Sequence, residues 1–234
     1  MIALDLKDKV IVVTGGFGSL GASVGRTLVM AGAQIALIDR ADASRTPKDV
    51  DGAFALGDVD LASAAGADDA AARVAARFGR IDALVNVAGG FRWETVTEGS
   101  VDTWDLLYRM NVQTAVNASR AVLPHLLAAG SGGIVNIGAL ASTKAAMGMG
   151  AYAASKAGVA KLTEAMAEEF KGRGITVNAV LPSIIDTAAN RSDMPDADFS
   201  RWVKAEQIAE LIVFLVSDRA RAITGALIPI AGGI

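Results

Sequence analysis

Tyr152 and Lys156, four residues apart in the run Tyr152-Ala153-Ala154-Ser155-Lys156, form the most chemically suggestive pair in the sequence. On a helix this spacing puts them on one face, with Cβ atoms roughly 5 to 6 Å apart. A free phenol gives up its proton at a pKa of about 10, and a neighbouring ammonium favours the phenolate. Such a pair can donate a proton to a carbonyl or imine as hydride arrives, or remove one in reverse.

Hydride chemistry needs a carrier, and an earlier segment offers a place for one. Thr14-Gly15-Gly16-Phe17-Gly18-Ser19-Leu20-Gly21 follows an apolar run and leads into a helical pattern. Glycines at 15, 18 and 21 permit a tight turn, close approach of backbone to a pyrophosphate, and close helix-sheet packing, with phosphates resting on the helix N-terminus. Asp39 ends the second apolar run, where a carboxylate accepts hydrogen bonds from an adenosine ribose and repels a 2′-phosphate, favouring NAD(H) over NADP(H). Arg40 beside it argues the other way. Asp58-Val59, after the third run, is placed to hold the adenine. Each feature also has a structural explanation: an ordinary turn for the glycines, a turn cap for Asp39, packing for Tyr152 and solvation for Lys156.

The elements that must position these residues follow from periodicity. Apolar, β-branched runs at Val10–Thr14, Gln34–Ile38, Ala53–Leu56, Ala83–Val87, Gly133–Ile137, Ile175–Val180 and Ala226–Ile230 predict strands buried on both faces. Helical patterns between most of them cover Leu20–Ala31, Leu61–Phe78, Val101–Ala128, Ala151–Lys171 and Ala205–Val216. This alternation predicts an α/β fold: one doubly wound Rossmann-type domain over 1–234, with a parallel sheet of about seven strands flanked by helices on both faces. The charged stretch 39–52 predicts a crossover without most of its helix. The polar stretch 183–204 predicts a loop closing over a ligand.

Composition narrows the partners. Among 234 residues, 22 Lys and Arg face 25 Asp and Glu, a net charge of -3 with no basic run, which argues against nucleic acid. Zero cysteines and one histidine exclude thiolate catalysis and leave no material for a His or Cys metal site. No apolar span approaches membrane length, and the charged start MIALDLKDKV lacks the pattern of a signal peptide, so the expectation is a cytoplasmic chain that engages no membrane.

The ordered set of motifs resembles the short-chain dehydrogenase/reductase family over nearly the whole chain. The matching pieces are the glycine loop at 14–21, Asp58-Val59, Asn86-Val87-Ala88-Gly89, Asn111, Tyr152 with Lys156, Pro182 to Thr187, and Ile223-Thr224-Gly225 with Gly232-Gly233. The resemblance implies an NAD(P)-binding site formed by Gly15, Phe17, Gly18, Ser19, Leu20, Gly21, Asp39, Asp58, Val59, Asn86, Ala88, Gly89, Tyr152, Lys156, Pro182, Ile185 and Thr187. It implies that Asn86 and Gly89 shape the sheet edge beside the adenosine, and that Asn111 organises a water linking Lys156 to solvent. Lys156 would hold the nicotinamide ribose, while Ile185 and Thr187 would contact the carboxamide. It also implies a homodimer or homotetramer built through the helices at 101–128 and 151–171.

Two departures stand out: Ser19 in place of a glycine, and Ala139 in place of the family's catalytic serine, 13 residues before Tyr152. Alanine cannot donate a hydrogen bond to a developing oxyanion. Both departures are similar to the quinonoid dihydropteridine reductase branch, as are Ala88-Gly89-Gly90-Phe91 and the stretch from Leu181 to Trp202. The expected substrate is then a small activated carbonyl or imine, with quinonoid dihydropterin as one instance. One alternative is an ordinary alcohol, ketone or 3-oxoacyl dehydrogenase in which Ser142 or Thr143 supplies the hydroxyl. Another is a non-catalytic NAD(H) sensor. Phe91, Trp93, Ala139, Met147 and Trp202 are candidates for a flat apolar substrate pocket, and Arg92 and Arg191 for meeting a polar substrate edge.

Overall fold

The computed structural model describes residues 6–234, so the charged start read above lies partly outside the described residues. The strands are β1 (Val10–Thr14), β2 (Gln34–Ile38), β3 (Phe54–Leu56), β4 (Ala83–Asn86), β5 (Gly132–Ile137), β6 (Ile175–Pro182), β7 (Ile185–Asp186), β8 (Val203–Lys204) and β9 (Leu227–Ile230). Seven of them make one sheet, in the order β3-β2-β1-β4-β5-β6-β9. Every pairing in that sheet is parallel.

The helices are α1 (Ser19–Met30), α2 (Ala64–Phe78), α3 (Val101–Tyr108), α4 (Thr114–Ala129), α5 (Gly150–Glu169), α6 (Ala188–Asp193) and α7 (Ala205–Leu215). The two-residue period of a strand sends alternate side chains to opposite faces. Ile11 and Val13 of β1 enter one buried cluster, with Leu28 of α1 and Ile208 of α7. Val10 and Val12 enter the other, with Val74 of α2, Leu126 of α4 and Met166 of α5. Two apolar layers thus sandwich the sheet. Strand order reverses between β1 and β4, and the crevice beyond their carboxyl ends is where open α/β sheets bind ligands.

One expectation about elements needs correction and another a refinement. The helix predicted over 101–128 runs without a gap from Val101 to Ala129, but it contains a wider π-turn, Arg109–Gln113, between α3 and α4. Two long-range side-chain bonds accompany it, Asn111 to Gly90 and Gln113 to Ala62, and locally the Thr114 hydroxyl donates to the Met110 carbonyl at 2.7 Å. The stretch 183–204 is also more than a loop. It forms the β7-β8 ladder and α6, tied by an Arg191-Asp186 pair at 2.6 and 2.8 Å. The Arg191 guanidinium lies 4.7 Å from the centre of the Phe199 ring. The crossover at 39–52 keeps only the three-residue turn Ala43–Arg45, capped by Asp42.

Candidate active site

The glycine loop joins β1 to α1, and its glycines are required by close backbone packing. Gly15 has φ +63° and sits so close to the next strand that a Cβ would lie 2.8 Å from the Ala88 nitrogen. A Cβ on Gly21 would run into the Gly15 carbonyl oxygen. Gly18 caps α1 through its backbone alone, and the first turn of α1 carries neither a side-chain cap nor an acidic residue. Its free N–H groups and positive dipole end therefore face the crevice, ready for an anion. Thr14, whose type was not singled out from sequence, fastens this loop to the segment that follows β4. Its Oγ1 accepts from both Val87 N and Ala88 N at 3.1 Å.

Asp39 holds the adjoining wall. One carboxylate oxygen accepts from Phe17 N and the other from Ala41 N, each at 2.9 Å. Val59 N in turn donates to the Asp39 carbonyl at 3.0 Å. A groove of about 1120 Å³ opens along these residues. Of the predicted cofactor set, Gly15, Phe17, Gly18, Leu20, Gly21, Asp39, Val59, Ala88 and Gly89 line it. Asp58 is exposed with φ 58°, and Asp60 rather than Asp58 contributes to the lining. Asn86 is buried beneath the site. Its amide donates to Ser119 Oγ and Asn136 Oδ1, while its own Oδ1 is the one buried side-chain acceptor among the described residues left without a partner. It braces β4 against β5 from within the sheet and does not line the groove.

At the other end lies the Tyr-Lys turn of α5. Lys156 is buried and its Nζ donates to the Ile137 carbonyl at 2.8 Å, at the end of β5. Burial lowers its pKa to about 8. Tyr152 is half-buried under Phe91, whose ring meets it edge-on at 4.9 Å and 85°. Burial pushes the phenol up to about 12. Burial thus outweighs any pull of the neighbouring ammonium towards phenolate, and the phenol stays protonated at neutral pH.

Asn111 connects the pieces. Its Nδ2 donates to Gly90 O at 3.1 Å and to Ser155 Oγ at 2.9 Å, while its Oδ1 accepts from Gly90 N at 2.9 Å. Ser155 Oγ then donates to the Tyr152 carbonyl at 2.7 Å. Sequence inspection passed over Ser155, which offered no signal beyond a polar residue beside Lys156. Gly89 lies at the junction, because a Cβ there would collide with Asn111 Oδ1 and approach Lys156 Nζ to 3.5 Å.

Ala139 follows β5 and is buried. The Thr143 hydroxyl is spent on the Leu140 carbonyl at 2.8 Å, and Thr143 is exposed. Ser142, one residue earlier, is half-buried and has no side-chain bond. Of the apolar pocket candidates, Trp93 and Met147 come together: Trp93 Nε1 donates to Met147 O at 3.0 Å, and Glu94 N donates to Gly148 O at 2.8 Å. Phe91, Trp93 and Met147 remain exposed.

Trp202 does not join them. It is buried against Phe199 at 4.8 Å, inside the 183–204 substructure, where the Asp186-bound Arg191 also sits. Pro182 ends β6, Ile185 pairs with Val203, and the Thr187 hydroxyl caps α6 by accepting from Asn190 N at 3.2 Å. Ser19, Pro182, Ile185, Thr187, Tyr152 and Lys156 lie outside the groove lining.

Comparison with known proteins agrees with this architecture. A family model described as short chain dehydrogenase matches residues 9–198. The chain is 33% identical to 2-(S)-hydroxypropyl-CoM dehydrogenase 3 of Xanthobacter autotrophicus, covering 98% of this chain and 97% of that one. It is 37% identical to D-threitol dehydrogenase of Mycolicibacterium smegmatis, over 97% and 93% respectively. Identity is 35% to a 3-oxoacyl-[acyl-carrier-protein] reductase of Thermotoga maritima, over 69% of each chain. A solved short-chain type dehydrogenase/reductase from Mycobacterium ulcerans superposes with a TM-score of 0.90 at 24% identity, over 98% of this chain and 90% of that one, and so shares its fold. The chain belongs to the short-chain dehydrogenases. It is, with them, an oxidoreductase that uses a nicotinamide cofactor on small-molecule substrates.

Proposed function

We propose that the chain transfers hydride between NAD(H) and a small activated carbonyl or imine, with Tyr152 as the general acid/base and no serine at its side. The observation that carries this reading is the pairing of an intact Tyr152-Lys156-Asn111 constellation with buried Ala139. The cofactor fits the residues present: the uncapped start of α1 suits its pyrophosphate, and the Gly15-Gly21 cradle has no room for a Cβ. Asp39 and Val59 would hold the adenosine, Lys156 the nicotinamide ribose, and Ile185 and Thr187 the carboxamide.

A bound nicotinamide supplies or accepts the hydride. Tyr152, protonated at neutral pH, donates from Oη to the substrate oxygen or nitrogen. Lys156, still largely protonated below pH 8, stabilises the phenolate left behind. With Ala139 silent, the substrate must itself spread developing negative charge, as a conjugated quinonoid imine does. Quinonoid dihydropterin is the instance to try first.

The assay is NADH oxidation with quinonoid dihydropterin against simple ketones and alcohols. Turnover of the pterin, lost by roughly 10²-fold or more in Tyr152→Phe, is expected; brisk ketone turnover with an inert pterin would overturn the substrate assignment.

A second reading rests on the unpartnered Ser142 hydroxyl and on relatives named for alcohol and oxoacyl substrates. There Ser142 supplies the donor, Ser142→Ala is damaging, and Ala139→Ser is nearly silent. Exposed Val101, Trp104 and Tyr108 on α3 fit a homodimer or homotetramer, to be checked by sedimentation of the purified protein.

A further inference from the structure

The adenosine side of the groove is built partly by residues that never touch it. Between β3 and α2 the chain runs through Val59, Asp60, Leu61 and Ala62, all of which line the groove. Two consecutive carbonyls of this wall are held by side chains from another element. Gln113 Nε2 donates to Ala62 O at 3.0 Å, and Asn117 Nδ2 donates to Leu61 O at 2.9 Å. Gln113 and Asn117 are four apart and so share one face of the π-turn and α4. Asn111, two residues before Gln113, points to the opposite side, where it grips Gly90 and Ser155.

We infer that Gln113 and Asn117 are positioning residues for cofactor affinity: they fix the Leu61–Ala62 wall against which the adenosine half packs. One short segment, the π-turn Arg109–Gln113, thus serves both ends of the site, with Asn111 bonded towards the catalytic helix and Gln113 towards the wall. The buried amide of Asn117 has no polar contact other than Leu61 O, so its type is explained by the wall. Aspartate or glutamate at either position would turn a donor into an acceptor facing a carbonyl.

This inference rests on the groove holding NAD(H), and the experiment separates the two. NADH and AMP are titrated into wild type, Gln113→Met and Gln113→Glu, with Asn117→Leu as a further variant, and steady-state kinetics are run alongside. Wild-type binding of NADH tests the cofactor reading itself.

For Gln113→Met, the dissociation constants of NADH and AMP should both rise by about fivefold to tenfold, the size of one neutral hydrogen bond, with a larger rise for Gln113→Glu. The loss should fall on KM for NADH far more than on kcat, and circular dichroism should match wild type. Equal NADH and AMP affinity in both Gln113 variants overturns the inference, as does a loss confined to kcat. If Asn117→Leu fails to fold, the Gln113 pair carries the decision alone.

Discussion

At the scale of single residues, the pH behaviour of the site follows from two buried groups. Lys156 has its pKa lowered to about 8, so reduction should hold steady at neutral pH and decline as pH rises through about 8, when the ammonium beside Tyr152 is lost. Stability runs in the opposite direction. The unfolded chain keeps the lysine proton up to about 10.5, so between about 8 and 10.5 it binds more protons than the folded chain, and stability rises with pH. Below that window the penalty of the buried charge is fully present. Tyr152, pushed from 10.0 to about 12, loses stability with rising pH above 10 because the unfolded phenol ionises first.

Lys156→Met should therefore abolish turnover yet raise neutral-pH stability by about 2 kcal/mol. That figure is roughly 3 for the relieved shift less about 1 for the hydrogen bond to Ile137 O. Urea unfolding at pH 7 and pH 10 checks this, since the advantage should shrink at the higher pH. A variant less stable than wild type at pH 7 would contradict it.

At the scale of elements, two loops after neighbouring strands brace each other over the Tyr-Lys turn. Gly148 has φ +74°, and any Cβ there would enter the Trp93 indole. Gly148→Val should detach Trp93 from Met147 and cost about 2 to 4 kcal/mol, from a strained left-handed valine plus the displaced ring. Thermal unfolding together with a red-shifted, more quenchable tryptophan emission would report it. Unchanged emission would count against this bracing.

The same scale explains what could be read from sequence. Strand positions followed from the continuous apolar, β-branched runs and helix positions from the 3.6-residue period, while the candidate site residues were named from the glycine spacing, Asp39 and the Tyr152-Lys156 interval. The π-turn was not legible because the bonds that accompany it are tertiary: Asn111 and Gln113 bond to segments roughly 20 and 50 residues away, and local helix propensity says nothing of that. The packing of Trp202 on Phe199 was not legible for a related reason, since an aromatic in a polar stretch does not name its neighbours. The roles of Thr14 and Ser155 lie in which backbone groups they meet, which residue type alone does not specify.

At the scale of the whole molecule, one parallel sheet with a core on each face supports a candidate site assembled from segments spread between Thr14 and Lys156, so the fold's rigidity substitutes for local chain continuity. Among the described residues no helix is long and apolar enough to cross a membrane, and no group of His, Cys, Asp and Glu is arranged to hold a metal.

The two backbone bonds of Asp39 carry a consequence for how such a protein can change its diet of cofactors. Its carboxylate pins Phe17 in one loop and Ala41 in the next, so the group proposed to discriminate NADH from NADPH is also a structural rivet. Asp39→Ala should accordingly weaken both nucleotides in titration, by about tenfold or more, instead of exchanging one preference for the other. A lineage drifting towards NADPH would have to re-anchor Phe17 and Ala41 before it could dispense with the acid. Improved NADPH binding in the single variant would show that the rivet is dispensable.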